Sequence, residues 1–305
     1  MNVPRRPLLA VSALSALALT ACSGAAGGGP DAYAALYPLQ LVASEVAGDH
    51  LTVEPITPAG TDPHDLELST AAVAGLEGSY VVYLSGFQPA LDDALDVVEP
   101  ARVLDVSNAA HVHGEEAAGE HGEHGEHGHE GHDHEGTDPH FWLDPLRLAD
   151  VADAVAADMS EMDPDHAEDY AANAERLRGE LEDLDAEYSA ALQDCESRTI
   201  VAAHEAYGYL AERYGLEQAG ISGVDPESEP SPARMAEIRE VVQSSGVETI
   251  YTESLVNPAV AESLADDLGI EVDVLNPLET APEEGTYLDA MRANLDALTT
   301  GLRCA

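Results

Sequence analysis

From residue 31 onward, short apolar runs alternate with stretches whose apolar residues recur every three or four positions. The runs "YAALYPL" (33–39), "LTVEPI" (51–56), "YVVYL" (80–84) and "RVLDV" (102–106) predict strands, and 69–77 and 88–98 predict helices between them. A long helical region follows over 145–194, interrupted near "MDP" (162–164). Pro164 suits the first position of a new helix, with Asp163 as its cap. Beyond it Leu177, Leu181, Leu184 and Tyr188 fall on one face of an amphipathic helix. A second alternating series then begins. "TIVAAH" (199–204), "ETIYTE" (248–253) and "EVDVL" (271–275) predict strands, with helices through Tyr214 and over 232–245, 257–268 and 284–301. Strands alternating with helices imply parallel sheets covered on both faces. The fold class is therefore α/β: two parallel-sheet lobes, 31–144 and 195–305, joined by the long helical segment 145–194.

Residues 109–136 break this pattern. The stretch is Gly, Glu and His with almost nothing apolar, so it cannot bury a core and is expected to be a disordered loop within the first lobe. The beginning of the chain breaks it too. Arg5 and Arg6 precede an apolar run from Leu8 to Ala21, which is shorter than the roughly 20 residues a membrane-spanning helix needs. That run ends in "LTAC" (19–22), which resembles the bacterial lipobox and implies cleavage before Cys22 and acylation of its thiol. Residues 1–21 are thus expected to be a lipoprotein signal peptide, and 22–30 a flexible tether.

Three cysteines are present. With Cys22 given to the lipid, Cys195 and Cys304 remain, an even number in a compartment that permits disulfides, and they are expected to pair. The 59 acidic residues face 12 arginines and no lysine, a formal net charge of −47. Such a surface repels nucleic acid and anionic lipid, so neither is a partner. It attracts cations without choosing among them.

Three of the four candidate residues sit just after strands. "TDPHDLE" (61–67) and "TDPHFWLD" (137–144) share T-D-P-H, and proline stiffens the loop that carries each histidine. His64 follows the strand at 51–56, and His140 leads into the long helix. His204 closes the strand 199–204, and Glu279 follows 271–275 in "NPLE". In open α/β sheets ligands bind beyond the carboxyl ends of strands. Three imidazoles and one carboxylate suit tetrahedral zinc.

In order along 31–303, "DPHDLE", the His-rich loop, "DPHFWLDP", "HEAYGYLAERYGL", "TESLVNP" and "NPLE" resemble the zinc-uptake branch of the metal-binding ABC solute-binding proteins. The resemblance implies two α/β lobes joined by a rigid long helix with metal held between them. It implies His64, His140, His204 and Glu279 as ligands of Zn2+, the transported cargo, and Glu253 as a supporting residue. Family members vary at the fourth position, some leaving it to water or another acid. A histidine at 204 separates the chain from the manganese branch, whose site resembles two histidines and two carboxylates. The implied protein is an extracytoplasmic, lipid-anchored monomer that serves a permease and an ATPase, and it is not an enzyme. The eight histidines between His111 and His134 would hold zinc weakly and exchange it quickly. The alternatives are a carrier for manganese or another divalent ion, a surface adhesin of the same fold, and a zinc hydrolase. For a hydrolase there is no HExxH, and "HEAYG" lacks the second histidine.

Overall fold

A computed structural model describes residues 31–112, 137–253 and 257–305. The expected signal peptide, Cys22, the tether and nearly all of the His-rich stretch lie outside these residues. No helix among the described residues is long and apolar enough to cross a membrane.

The first lobe runs β1 (Ala32–Ala34), α1 (Tyr37–Ala47), β2 (Val53–Pro55), α2 (Thr70–Gly75), β3 (Tyr80–Tyr83), α3 (Pro89–Leu95), β4 (Arg102–Asp105). Its four strands are parallel, in the order β2-β1-β3-β4. One boundary expected from sequence is corrected. The run 33–39 is not one strand but a three-residue β1 followed by the start of α1. Pro38 stands in the first turn of that helix, where no intrahelical N–H is needed, and Leu39, Val42, Ala43 and Val46 bury one face.

The segment 145–194 forms two helices, α4 (Pro145–Met162) and α5 (Ala167–Ala191), with a short 3-10 turn at Pro164–His166. Asp163 precedes that turn but caps no backbone there; its Oδ2 accepts from the Tyr170 hydroxyl and lies 2.6 Å from His166 Nδ1. The two helices lie antiparallel. Arg178 of α5 donates to Asp150 (2.7 Å) and Asp153 (2.6 Å) of α4, and the apolar face at Leu177, Leu181, Leu184 and Tyr188 is buried as its spacing requires.

The second lobe runs β5 (Thr199–Ala202), α6 (Gly208–Tyr214), β6 (Glu217–Gly220), α7 (Pro232–Ser245), β7 (Thr249–Thr252), α8 (Ala259–Leu268), β8 (Glu271–Val274), α9 (Tyr287–Gly301). Its order, β6-β5-β7-β8, repeats that of the first lobe, again all parallel. In each sheet the first strand is flanked by the second and third. The winding reverses there, and a crevice opens at the carboxyl ends. Cys195, before β5, is disulfide-bonded to Cys304 at the end of the chain, across a sequence separation of 109.

Candidate metal centre

Both T-D-P-H loops fold by the same local rule. The Asp62 Oδ1 accepts the His64 backbone N–H at 2.8 Å, and the Asp138 Oδ1 accepts that of His140 at 2.9 Å. An aspartate that bonds two residues onward, with proline between, makes a stiff turn whose exit residue is the histidine. The first loop is gripped further by buried Gln88, whose Nε2 donates to the Pro63 carbonyl (3.0 Å) and the Thr57 hydroxyl (2.9 Å). Phe87 sets its ring edge-on to His64, with centroids 4.9 Å apart. After the second loop, Asp144 accepts the Leu146 N–H (3.0 Å) as the cap of α4.

Trp142 ties that loop to the second lobe. Its Nε1 donates to the Pro277 carbonyl (2.7 Å), and its own carbonyl accepts from the Tyr287 hydroxyl (2.5 Å). Pro277 begins the turn that ends in Glu279. Within it Leu278 adopts φ 57°, the left-handed region that a non-glycine residue seldom occupies. Asn276 Oδ1 accepts the Leu278 N–H (2.8 Å), and buried Asn294 of α9 bonds the Asn276 backbone at both N–H (2.8 Å) and carbonyl (2.7 Å). An amide clamp therefore aims Glu279.

The four side chains meet. Oε1 of Glu279 lies 3.2 Å from His64 Nε2, 2.9 Å from His140 Nε2 and 3.5 Å from His204 Nε2. The Nε2 atoms of His140 and His204 are 3.4 Å apart. All four donor atoms fall within 4.8 Å of one another. A tetrahedral ion with bonds near 2.0–2.1 Å sets its donors about 3.3–3.4 Å apart. Four of the six separations here, 2.9 to 3.5 Å, lie close to that edge, with the other two within 4.8 Å. His140, His204 and Glu279 are buried, and His64 keeps a partly exposed edge.

The imidazoles are oriented from behind. His140 Nδ1 lies 2.8 Å from Asp138 Oδ1, and His204 Nδ1 lies 2.6 Å from Glu253 Oε1. A carboxylate on Nδ1 holds the proton there and turns the Nε2 lone pair toward the common point. Glu253 thus stands behind His204, outside the group of four, as expected of it. From the sequence only the proline of D-P-H is expected to stiffen this loop; the bonds of Asp138 to the His140 N–H and Nδ1 are not read there.

Burial opposes charge on His140, yet its bonds to Asp138 and Glu279 outweigh that and raise its pKa above the usual imidazole value. The same contest at His204, burial against Glu253 and Glu279, ends at about 10. Burial would raise Glu279, but His140, His204 and His64 hold it well below the ordinary carboxylate range. The cluster, with the carboxylates of Asp138, Glu253 and Glu279 against it, therefore favours positive charge, carried by protons or by a metal cation.

Two like-wound lobes thus carry, at their seam, a four-residue cluster that could hold a metal ion. The chain matches the family model described as zinc-uptake complex component A, periplasmic, over residues 33–301. It is 36% identical over 303 residues to the zinc-binding lipoprotein AdcA of Streptococcus pneumoniae, covering 95% of this chain and 60% of that protein. It is 31% identical to the high-affinity zinc uptake system protein ZnuA of Bacillus subtilis, covering 87% of this chain and 85% of that protein. Among solved structures, the laminin-binding protein Lmb of Streptococcus agalactiae, described as bifunctional with adhesin and metal-transporting activity, superposes with TM-score 0.78. That match has 33% identity over 90% of this chain and 100% of the other. Zn(II)-bound AdcA of Streptococcus pneumoniae gives TM-score 0.73 at 30% identity, over 90% of this chain and 58% of the other. The chain belongs to the ZnuA family of zinc-uptake solute-binding proteins. It spans about three fifths of the length of the AdcA lipoprotein it matches.

Proposed function

We propose that this chain captures Zn2+ outside the cytoplasm, at His64, His140, His204 and Glu279, and delivers it to an ABC importer consisting of a permease and an ATPase. The observation that carries the reading is the convergence of three imidazoles and one carboxylate oxygen within 4.8 Å of one another, the Glu279 oxygen 2.9 to 3.5 Å from all three Nε2 atoms, as a zinc site requires. The donor set supports zinc over manganese, since three imidazoles favour the softer ion. A fourth donor from the protein closes the coordination shell, which leaves no position for an activated water and supports a carrier over a hydrolase. Acylated Cys22 would anchor the protein, as a monomer, to the membrane. The histidines between His111 and His134 would gather zinc at weak sites upstream of the tight one. The test is metal analysis of the purified protein with competition between zinc and manganese. One tightly held zinc per chain that excess manganese leaves in place is expected. Equal affinity for the two ions would sink the reading.

A further inference from the structure

Asp138 touches His140 with one oxygen only. Oδ1 accepts from the backbone N–H and faces Nδ1 (2.9 and 2.8 Å). The other oxygen, Oδ2, lies against the first residue of α6. A Cβ on Gly208 would fall 2.5 Å from Asp138 Oδ2 and 3.2 Å from Gln218 Nε2. No carbon and oxygen pack that closely, so position 208 takes only glycine while Asp138 stays in place. The next residue, Tyr209, donates its hydroxyl to the Asp138 carbonyl (3.1 Å). Its ring is buried under the Arg147 guanidinium, 4.5 Å from the centroid. The start of the helix is fixed from behind, where Gln218 Oε1 accepts the Tyr207 N–H (2.8 Å).

Helix α6 belongs to the second lobe and follows directly from the loop bearing His204. Asp138 belongs to the segment that enters α4. One stretch, 204–209, therefore presents one donor of the cage and also holds the residue that orients another. We infer that Gly208 and Tyr209 are positioning residues for cation binding, acting on His140 through Asp138. This rests on the reading of the four-residue cluster as the metal site. Neither residue reaches the ion. By keeping Asp138 Oδ1 on Nδ1 they fix the tautomer and aim of His140. Parting α6 from Asp138 removes His204 and frees His140 in one movement, so the grip on the ion fails steeply rather than donor by donor.

The test measures zinc affinity of the full chain by competition with a chromophoric chelator. The variants are Asp138→Asn, Gly208→Ala, Tyr209→Phe, the double variant Gly208→Ala with Asp138→Asn, and His140→Ala as control. Asp138→Asn and Gly208→Ala are each expected to weaken binding about 10–100-fold, the range for residues behind metal-bound histidines. The double variant is expected to be no worse than Asp138→Asn alone, because both changes break one linkage. The nitrogen-coupled proton signal of His140 Nδ1 in the zinc form should shift or vanish in Gly208→Ala. Wild-type affinity in Gly208→Ala, or additive losses in the double variant, would overturn the inference. Should Gly208→Ala fail to fold, Tyr209→Phe decides, since it removes one hydroxyl. Unchanged affinity and an unmoved Nδ1 proton there would also overturn it. Undiminished zinc binding by His140→Ala would instead overturn the metal-site reading itself. A loss in His140→Ala with none in Gly208→Ala or Tyr209→Phe would sink the positioning role alone.

Discussion

Nδ1 of His204 lies 2.6 Å from Oε1 of Glu253, and both side chains are buried. The pair sits at the carboxyl ends of β5 and β7, adjacent strands at the point where the second sheet reverses its winding. A full negative charge on Glu253 makes the imidazole a stronger base and so a stronger donor. Replacing Glu253 with glutamine keeps the shape and removes the charge. Zinc affinity is expected to fall about 10–100-fold, with the thermal midpoint of the metal-free protein changed far less. Chelator competition and thermal unfolding of Glu253→Gln check both halves.

The four proposed donors are expected to be unequal. His64→Ala, His140→Ala or His204→Ala opens the cage at a nitrogen that only water can replace, and affinity should fall steeply. Glu279→Ala leaves three imidazoles in place, so the loss is expected to be smaller and discrimination against other divalent ions weaker. A zinc-bound water of lowered pKa could then fill the fourth position. Titrating each variant with zinc and manganese orders the four. Wild-type zinc affinity in any histidine variant would remove that residue from the site.

Zinc binding is expected to release protons at neutral pH. The pKa of His204 is raised from 6.5 to about 10, so it carries a proton near pH 7 in the absence of metal, and that of His140 is raised as well. A proton on either must leave for it to bind, and affinity should rise with pH until they titrate. Calorimetry in buffers of different ionisation enthalpy counts the protons. Zero release at pH 7 would contradict the assignment. In the metal-free protein the same shift stabilises the fold. His204's contribution is complete below its unfolded value near 6.5 and is lost as pH rises through about 10. Glu279, shifted downward, contributes above the ordinary carboxylate range and loses that contribution in acid.

The Cys195–Cys304 disulfide lies before β5, whereas the cage lies beyond its carboxyl end. A crosslink spanning 109 residues stabilises by about 4–5 kcal/mol in the chain-entropy model. The double variant Cys195→Ser, Cys304→Ser is expected to lose stability of that order in denaturant while binding zinc with native affinity. A large fall in affinity would mean that the crosslink shapes the cage as well.

Most of the cage could be read from sequence because its parts are local. T-D-P-H twice, His204 at a strand end and Glu279 after "NPL" need no knowledge of distant contacts. What escaped depends on such contacts. β6 is "EQAG", with no β-branched or aromatic residue, and it is a strand because Glu217–Gly220 pair with Thr199–Ala202 of β5. α1 was hidden in an apolar run whose first half is β1, since periodicity cannot divide a short continuous run between two elements. Pro164 marks only an interruption of the long helical segment; the antiparallel fold of α4 on α5 rests on contacts such as Arg178 reaching Asp150 and Asp153. The link from Gly208 to Asp138 joins residues 70 positions apart, which no motif announces.

Leu278 stands in a left-handed conformation directly before Glu279, at a cost on the order of 1–2 kcal/mol for a residue with a Cβ. Glycine would adopt that turn freely, yet leucine fills it, fully buried against the core. The carboxylate is thus mounted on a turn where apolar packing opposes backbone preference. Leu278→Gly would remove the backbone cost and, with it, a fully buried side chain, so the aim of Glu279 is bound to the core. A change at 278 tests that bond while leaving all four clustered side chains untouched.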